Sequence, residues 1–303
     1  MKKFVVSTTI NNVTTAIEKL DSLSDWTLIV VGDLKTPKDY KINGIYLSPE
    51  DQNKIDPTLS NAIGWNCMQR RNFGFLHAYK LGADVIATVD DDNIPSDLWG
   101  KTVHLNKPTE VTKYLVDDLA FDPIGATNYS HLWHRGFPLE LVHSRDYSNS
   151  EKVTVIPDVQ ADFWNGDPDI DAVCRLEHRP KCEFDTAFFP FTANSYAPFN
   201  SQNTFVSRNV IKNYFMFPKI GRMDDIWASY YLQSLGATVV YSQPTVFQER
   251  NPHDLILDMT KEYLGYENNY KLLQDLNTSP DAIKKYIPGI SWYAFELYQK
   301  HFI

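Results

Sequence analysis

The run Val89-Asp90-Asp91-Asp92-Asn93 sets three carboxylates in a row behind the apolar stretch Val85-Ile86-Ala87-Thr88-Val89. Adjacent carboxylates repel, and each raises its neighbours' pKa. A hard divalent cation, Mg2+ or Mn2+, removes that cost. Bridging a diphosphate, the same ion would neutralise the charge that builds up on a departing group. The competing reading is a solvated turn, because Asp and Asn favour turns. The apolar stretch in front of the triplet weighs against it.

Four further clusters could carry chemistry. Arg70-Arg71-Asn72 suits phosphate or carboxylate recognition, but successive helix residues lie about 100° apart, so at most two face one site. Taken alone, the pair reads more readily as a solvated helix face. Gly74, four residues on, costs roughly 1 kcal/mol in mid-helix against Ala, which points to close backbone approach. In Gly221-Arg222-Met223-Asp224-Asp225-Ile226-Trp227 one Asp caps a helix. The other is then available as a base toward an acceptor hydroxyl; Asp225 is favoured as base and Asp224 as cap. His253, in Gln248-Glu249-Arg250-Asn251-Pro252-His253-Asp254, could complete a cation's shell as a neutral imidazole. Finally, Asp169 and Asp171 within Asp167-Pro168-Asp169-Ile170-Asp171, and Asn200, Gln202 and Asn203 after Phe199, lie among the aromatics Phe163, Trp164, Phe191 and Tyr196. Sugars are bound by such mixtures, and an ordinary aromatic core with turns has the same composition.

The elements that must position these groups follow from apolar periodicity. Strands are predicted over Phe4–Ile10, Trp26–Val31, Gly44–Leu47 and Asp84–Val89, with helices over Asn12–Leu23 and Trp65–Leu81. That β-α-β-α-β order implies an α/β fold with a mainly parallel sheet covered by helices. Ligands in such sheets bind beyond the carboxyl ends of the strands, where the acidic triplet falls. Further on, strands are predicted at Lys152–Ile156, Thr204–Val206 and Thr238–Tyr241, and a helix at Asp224–Leu235. The C-terminal part reads as helices over Leu255–Tyr263, Asn269–Leu276 and from Asp281 onward, broken at Pro288-Gly289. No linker-like stretch divides the chain. The expected layout is a nucleotide-binding half over 1–100, an acceptor-side half over 101–255, and a helical extension over 256–303.

Composition narrows the function classes. The 303 residues carry 29 Lys and Arg against 38 Asp and Glu, a net charge of -9. That balance argues against a nucleic-acid partner, which needs a basic face. A phosphate-bearing substrate remains open, since a bound cation reverses the local sign of charge. With 43% hydrophobic and 14% aromatic residues, the chain can bury a large core. No apolar run reaches the roughly 18 residues of a membrane span. The start Met1-Lys2-Lys3-Phe4-Val5-Val6 reads as a strand, because Ser7, Thr8, Thr9 and Asn11 interrupt it too soon for a leader. Three scattered cysteines without a CxxC suit a reducing, cytoplasmic setting. Motifs for dinucleotide, P-loop, zinc-protease and serine-hydrolase chemistry are absent.

Taken in order, these segments resemble the GT-A glycosyltransferases. More narrowly, they resemble the STELLO family and the reversibly glycosylated polypeptides, which are UDP-arabinopyranose mutases. The resemblance rests on Val31-Gly32-Asp33 with Lys35-Thr36-Pro37, on Arg70 to Leu76, on Thr88 to Asn93 and on Gly166 to Ala172. It continues through Phe199 to Asn203, Arg222 with Asp225-Ile226-Trp227, and Arg250-Asn251 with His253-Asp254. It implies a GT-A, Rossmann-like fold, a UDP-sugar donor, a divalent metal (Mn2+ or Mg2+) and a glycan or other hydroxyl acceptor, with surface glycan synthesis as the expected setting. Asp90 would lie on the ribose side, with Asp91, Asp33, Arg70, Arg71 and Asn72 around the donor. Asp92 and His253 would hold the metal, and Asp225 would be the base. Asp169, Asp171, Trp164, Asn200, Gln202, Asn203 and Arg222 would serve the sugar or acceptor. The alternatives are a nucleotide-sugar mutase and a non-catalytic nucleotide-sugar or glycan-binding module.

Overall fold

A computed structural model describes residues 1–249 and 254–302. The first part runs β1 (Lys3–Thr9), α1 (Thr15–Asp21), β2 (Thr27–Gly32), β3 (Ile45–Leu47), α2 (Pro49–Ile55), α3 (Pro57–Ile63), α4 (Arg71–Lys80) and β4 (Val85–Val89). The middle holds β5 (Asn93–Pro95), β6 (Thr109–Tyr114), β7 (Ser150–Val155), β8 (Val159–Gly166), α5 (Ala172–His178), β9 (Phe191–Ala193) and β10 (Asn203–Ser207). The chain continues with α6 (Asp224–Ser234), β11 (Val239–Gln248), α7 (Leu255–Leu276) and α8 (Gly289–Gln299).

The strands form one sheet in the order β3-β2-β1-β4-β10-β8-β11-β9-β6-β7, with β5 paired to β11. The α/β class with a mainly parallel, helix-flanked sheet is the one found. Pairing is parallel from β3 through β4, and it becomes mixed where β10 runs antiparallel between β4 and β8. Every residue of β4 is buried, as expected for a strand covered on both faces. Helix α4 lies close on β1 and β2. A Cβ on Gly74 would collide with Val6 and crowd Val31, which explains a glycine at mid-helix.

Three departures from the periodicity have local causes. Helix α4 starts at Arg71 rather than Trp65, because Asn66 adopts a left-handed φ of 57° and Met68–Arg70 form a tight 3-10 turn. Helices α2 and α3 were not anticipated, although their signals are present. Ser48 and Asp51 form a reciprocal capping box, Asp56 caps α3, and Pro49 and Pro57 open the two helices. Helix α7 is continuous where two helices were expected. Gly265 is not a break but a contact, since a Cβ there would strike Met223. No helix among the described residues is long and apolar enough to cross a membrane.

Candidate active site

The carboxyl ends of β1, β2 and β4 open into a cavity of about 330 Å³. Asp33, Asp90, Asp91 and Asp92 line it from this side. Gln202 stands beside Asp90, and Arg135, Arg222, Asp224, Asp225 and Gln248 complete the lining.

Neutral donors hold two of the carboxylates on the first side, Asp33 and Asp91. Asp33, just past β2, accepts the backbone N–H groups of Leu34 at 2.6 Å, Asn66 at 2.9 Å and Cys67 at 3.0 Å. Asn66, at a left-handed φ of 57°, and Cys67 both present their amides to Asp33. Asp91 accepts hydrogen bonds from the Thr9 hydroxyl and the Asn11 amide, and its carbonyl accepts one from Thr14, the N-cap of α1. Asp90 is the exception and meets Arg71 Nη2 at 2.6 Å. Burial pushes its carboxyl upward, against the opposing pull of the Arg71 guanidinium.

Arg70 and Arg71 are buried rather than solvated, which corrects the helix-face reading. Arg71 reaches Thr8, Thr88 and Ser201 besides Asp90, tying β1, β4 and the loop before β10 together. Arg70 stacks 3.6 Å over the Trp65 ring and donates to Gln52, Ser60 and Gly64. Both line the cavity, but Asn72 does not: its amide exchanges hydrogen bonds with the Met216 backbone. Asn72 therefore braces a loop instead of facing a ligand.

The opposite side is built on buried ion pairs. The Arg135 guanidinium contacts Asp169 through Nε and Nη2 at 2.8–3.1 Å and Asp225 at 3.0 and 3.2 Å. Asp225 also accepts from the Ser201 N–H and hydroxyl. Arg222 donates to Glu262 at 2.7 Å, and Glu262 anchors the N–H of Ala172 at the start of α5.

Asp224 is not a cap. It is the first residue of α6, one position past the N-cap, which is Met223 and makes no side-chain cap bond. Its carboxylate accepts from Gln69 Nε2 at 2.6 Å instead. Burial, then the Asp225 charge, holds the Asp224 carboxyl well above the usual carboxylate range.

Several residues expected at a sugar subsite lie behind the wall. Asp169 holds Arg135 and the Asn200 amide. Asp171 caps α5 and accepts the Trp133 indole N–H, while burial pushes its carboxyl up to about 7. Asn203 ties Trp99, Phe163 and Thr245 together, and Trp164 is buried against Phe163 and His134. Of this group only Gln202 and Arg222 line the cavity. His253 lies outside the described residues. Among the described residues no group of three His, Cys, Asp or Glu is placed to hold a metal.

Arg135, Gln69 and Gln248 went unrecognised in the sequence. Arg135 sits in an irregular stretch, and its partners Asp169 and Asp225 are 34 and 90 residues away, so no spacing could mark it. Gln69 adjoins the arginine pair, which is a weak signal that was available.

No protein-family model matches the sequence. Two curated relatives from Arabidopsis thaliana do. One is "Probable glycosyltransferase STELLO2", 25% identical over 282 residues, covering 81% of this chain and 35% of that protein. The other is "Probable glycosyltransferase STELLO1", 24% identical over 272 residues, covering 80% and 35%. Among solved structures, glucosyl-3-phosphoglycerate synthase from Mycobacterium tuberculosis is similar at 15% identity, over 89% of this chain and 80% of that one, with a TM-score of 0.47. Its complex with Mn2+ and UDP-glucose gives 14%, 89%, 79% and the same TM-score. The chain spans about a third of the length of its curated relatives, and over most of its own length it resembles the STELLO glycosyltransferases.

Proposed function

We propose that this chain is a GT-A glycosyltransferase domain that moves a sugar from a nucleotide-sugar, a UDP-sugar, to an acceptor hydroxyl. One observation carries the reading: the acidic run Asp90–Asp92 lines a cavity at the carboxyl ends of parallel strands, facing a second wall that holds Asp224 and Asp225. Sequence likeness to the STELLO proteins supports it independently. We assign residues 1–100 to the nucleotide half and 101–255 to the acceptor half. The three cysteines, all unpaired, support a reducing, cytoplasmic setting.

Asp91 and Asp92 fit a hard cation, since such ions are commonly held by one or two carboxylates with substrate phosphates filling the remaining positions. When bound, Mn2+ or Mg2+ would supply positive charge to a diphosphate leaving group. The chain's own residues do the rest. Asp33 and Asp91 are fixed at the cavity wall by hydrogen bonds from neutral donors. Arg71 locks Asp90 and orients the loop that carries the acidic run. Asp224, with its elevated pKa and its hydrogen bond from Gln69, is suited to take a proton from an acceptor hydroxyl. Asp225, favoured as base on sequence grounds, is engaged by Arg135 and Ser201 and supports the wall.

The test is turnover of UDP-sugars with Mn2+ present. Asp92→Ala should cut the rate about a thousand-fold, equivalent to roughly 4 kcal/mol of lost charge stabilisation, with the fold intact by circular dichroism. Undiminished turnover in that variant would remove the reading. Formation of an isomeric UDP-sugar without acceptor would mark a mutase instead.

A further inference from the structure

Between α3 and α4 the chain makes a short irregular turn that is fixed at both ends. Asp33 accepts the N–H groups of Asn66 and Cys67 at 2.9 and 3.0 Å. At the other end the Arg70 guanidinium lies 3.6 Å over the Trp65 ring and donates to Gln52 and Ser60. Gln69 sits inside this turn, with 9% of its surface exposed. Its Nε2 reaches the first residue of α6, 155 positions on, and donates to Asp224 Oδ2 at 2.6 Å. Asp224 lines the cavity and Gln69 does not.

The choice of donor matters. Asp225, next in the chain, meets the Arg135 guanidinium at 3.0 and 3.2 Å. A cation at such distances favours the ionised carboxylate strongly and makes it a poor proton acceptor. A neutral amide fixes a carboxylate with a smaller loss of basicity. Around Asp224, burial and the Asp225 charge push the carboxyl up, while Arg135 and the Gln69 hydrogen bond pull it down. Burial keeps the nearby Tyr214 phenol neutral. Asp90, Arg71 and Arg222 line the same cavity, with Arg222 held by Asp258 and Glu262.

We propose that Gln69 is a positioning residue: from the turn that Asp33 anchors, its amide holds the Asp224 carboxylate in place to take the acceptor's proton. The inference rests on the reading of Asp224 as base given above. In that transfer the acceptor oxygen bonds to the anomeric carbon of the sugar. The diphosphate leaves with the electron pair of its bond to that carbon, and the hydroxyl proton passes to Asp224. Because Gln69 donates to the ionised carboxylate, its loss makes Asp224 harder to ionise, and the rising limb of the rate moves to higher pH.

The experiment follows UDP release from UDP-glucose and UDP-galactose by the full chain with Mn2+, with water or methyl glucoside as acceptor. It compares kcat against pH, and UDP affinity, for wild type, Gln69→Met, Gln69→Glu and Asp224→Asn. Gln69→Met should move the limb up by about one pH unit, roughly ten-fold in kcat at a fixed pH on the limb. Gln69→Glu, close in shape but without the amide, should move it further, since adjacent carboxylates share a proton. UDP affinity should not change in either. If Asp224→Asn flattens the limb but neither Gln69 variant moves it, the proposal is overturned. It is overturned as well if kcat and UDP affinity fall together with the limb in place, which marks a structural brace. If Asp224→Asn leaves the limb intact, the Asp224 reading and this proposal fall while the nucleotide-sugar reading stands. A wild type that releases UDP from neither sugar nucleotide removes all three.

Discussion

The two walls of the cavity differ in the balance of neutral donors and ion pairs that hold their carboxylates. On the β1–β2–β4 side, Asp33 and Asp91 accept from backbone amides, hydroxyls and a side-chain amide. Neutral donors fix a carboxylate without cancelling its charge, so this wall can present negative charge to a cation. On the α6 side, Asp169, Asp225 and Glu262 are answered by Arg135 and Arg222. That wall is braced by buried ion pairs, while its Asp224 carboxylate accepts from the Gln69 amide. On the first wall an ion pair is seen at Asp90, with Arg71, whereas on the second ion pairs hold Asp169, Asp225 and Glu262.

Removing a partner tests the contrast most severely. Arg135→Leu leaves Asp169 and Asp225 buried without their counter-ion. Loss of one partner of a buried pair costs about 3–5 kcal/mol, to be read from urea denaturation. A cost below 1 kcal/mol would mean that the second wall is not held by its ion pairs. The next largest effect belongs to Asp224→Asn, which should lower kcat roughly a hundred-fold, the low end for a general base, without a matching change in UDP affinity. Because burial and Asp225 raise the Asp224 pKa, its ionised form appears at higher pH than for an exposed carboxylate. The wild-type rate should therefore climb with pH toward neutrality and level off, and Asp224→Asn should flatten that limb. A full rate in the variant would return the role of base to Asp225. Smallest is Gly74→Ala on the first wall, where the new methyl group meets Val6 and Val31. Overpacking there should cost about 1–3 kcal/mol, seen as a lower denaturation midpoint. A neutral result would show that the seat of α4 on β1 and β2 is looser than the structure has it.

The acidic run was legible because its signal is short-ranged: an apolar strand followed at once by three aspartates. Gly74 was legible for the same reason, since an isolated helical glycine calls for a neighbour. The capping signals of α2 and α3 were equally local and were passed over. The fate of the polar cluster from Asp167 to Asn203 was not legible. Asp169 and Asn203 have the composition of a sugar site, yet one holds Arg135 and the other ties Trp99 to Phe163. Composition is the same for a ligand-facing amide and for a core-bracing one. Gln202 and Asn203 are neighbours in the chain, and only the first reaches the cavity.

By itself the amino-acid order determined the alternation of strands and helices, the place of the acidic triplet at a strand end, and the need for close packing at Gly74. These depend on residues within one or two turns of each other, where periodicity and backbone preference act directly. Only the tertiary structure decided which charges cancel. Asp33 meets Asn66 and Cys67, Asp224 meets Gln69, and Arg135 meets Asp225 across tens to hundreds of residues. A carboxylate's partner sets whether it stays charged, and that partner is chosen by how the sheet and helices pack, which no local spacing records.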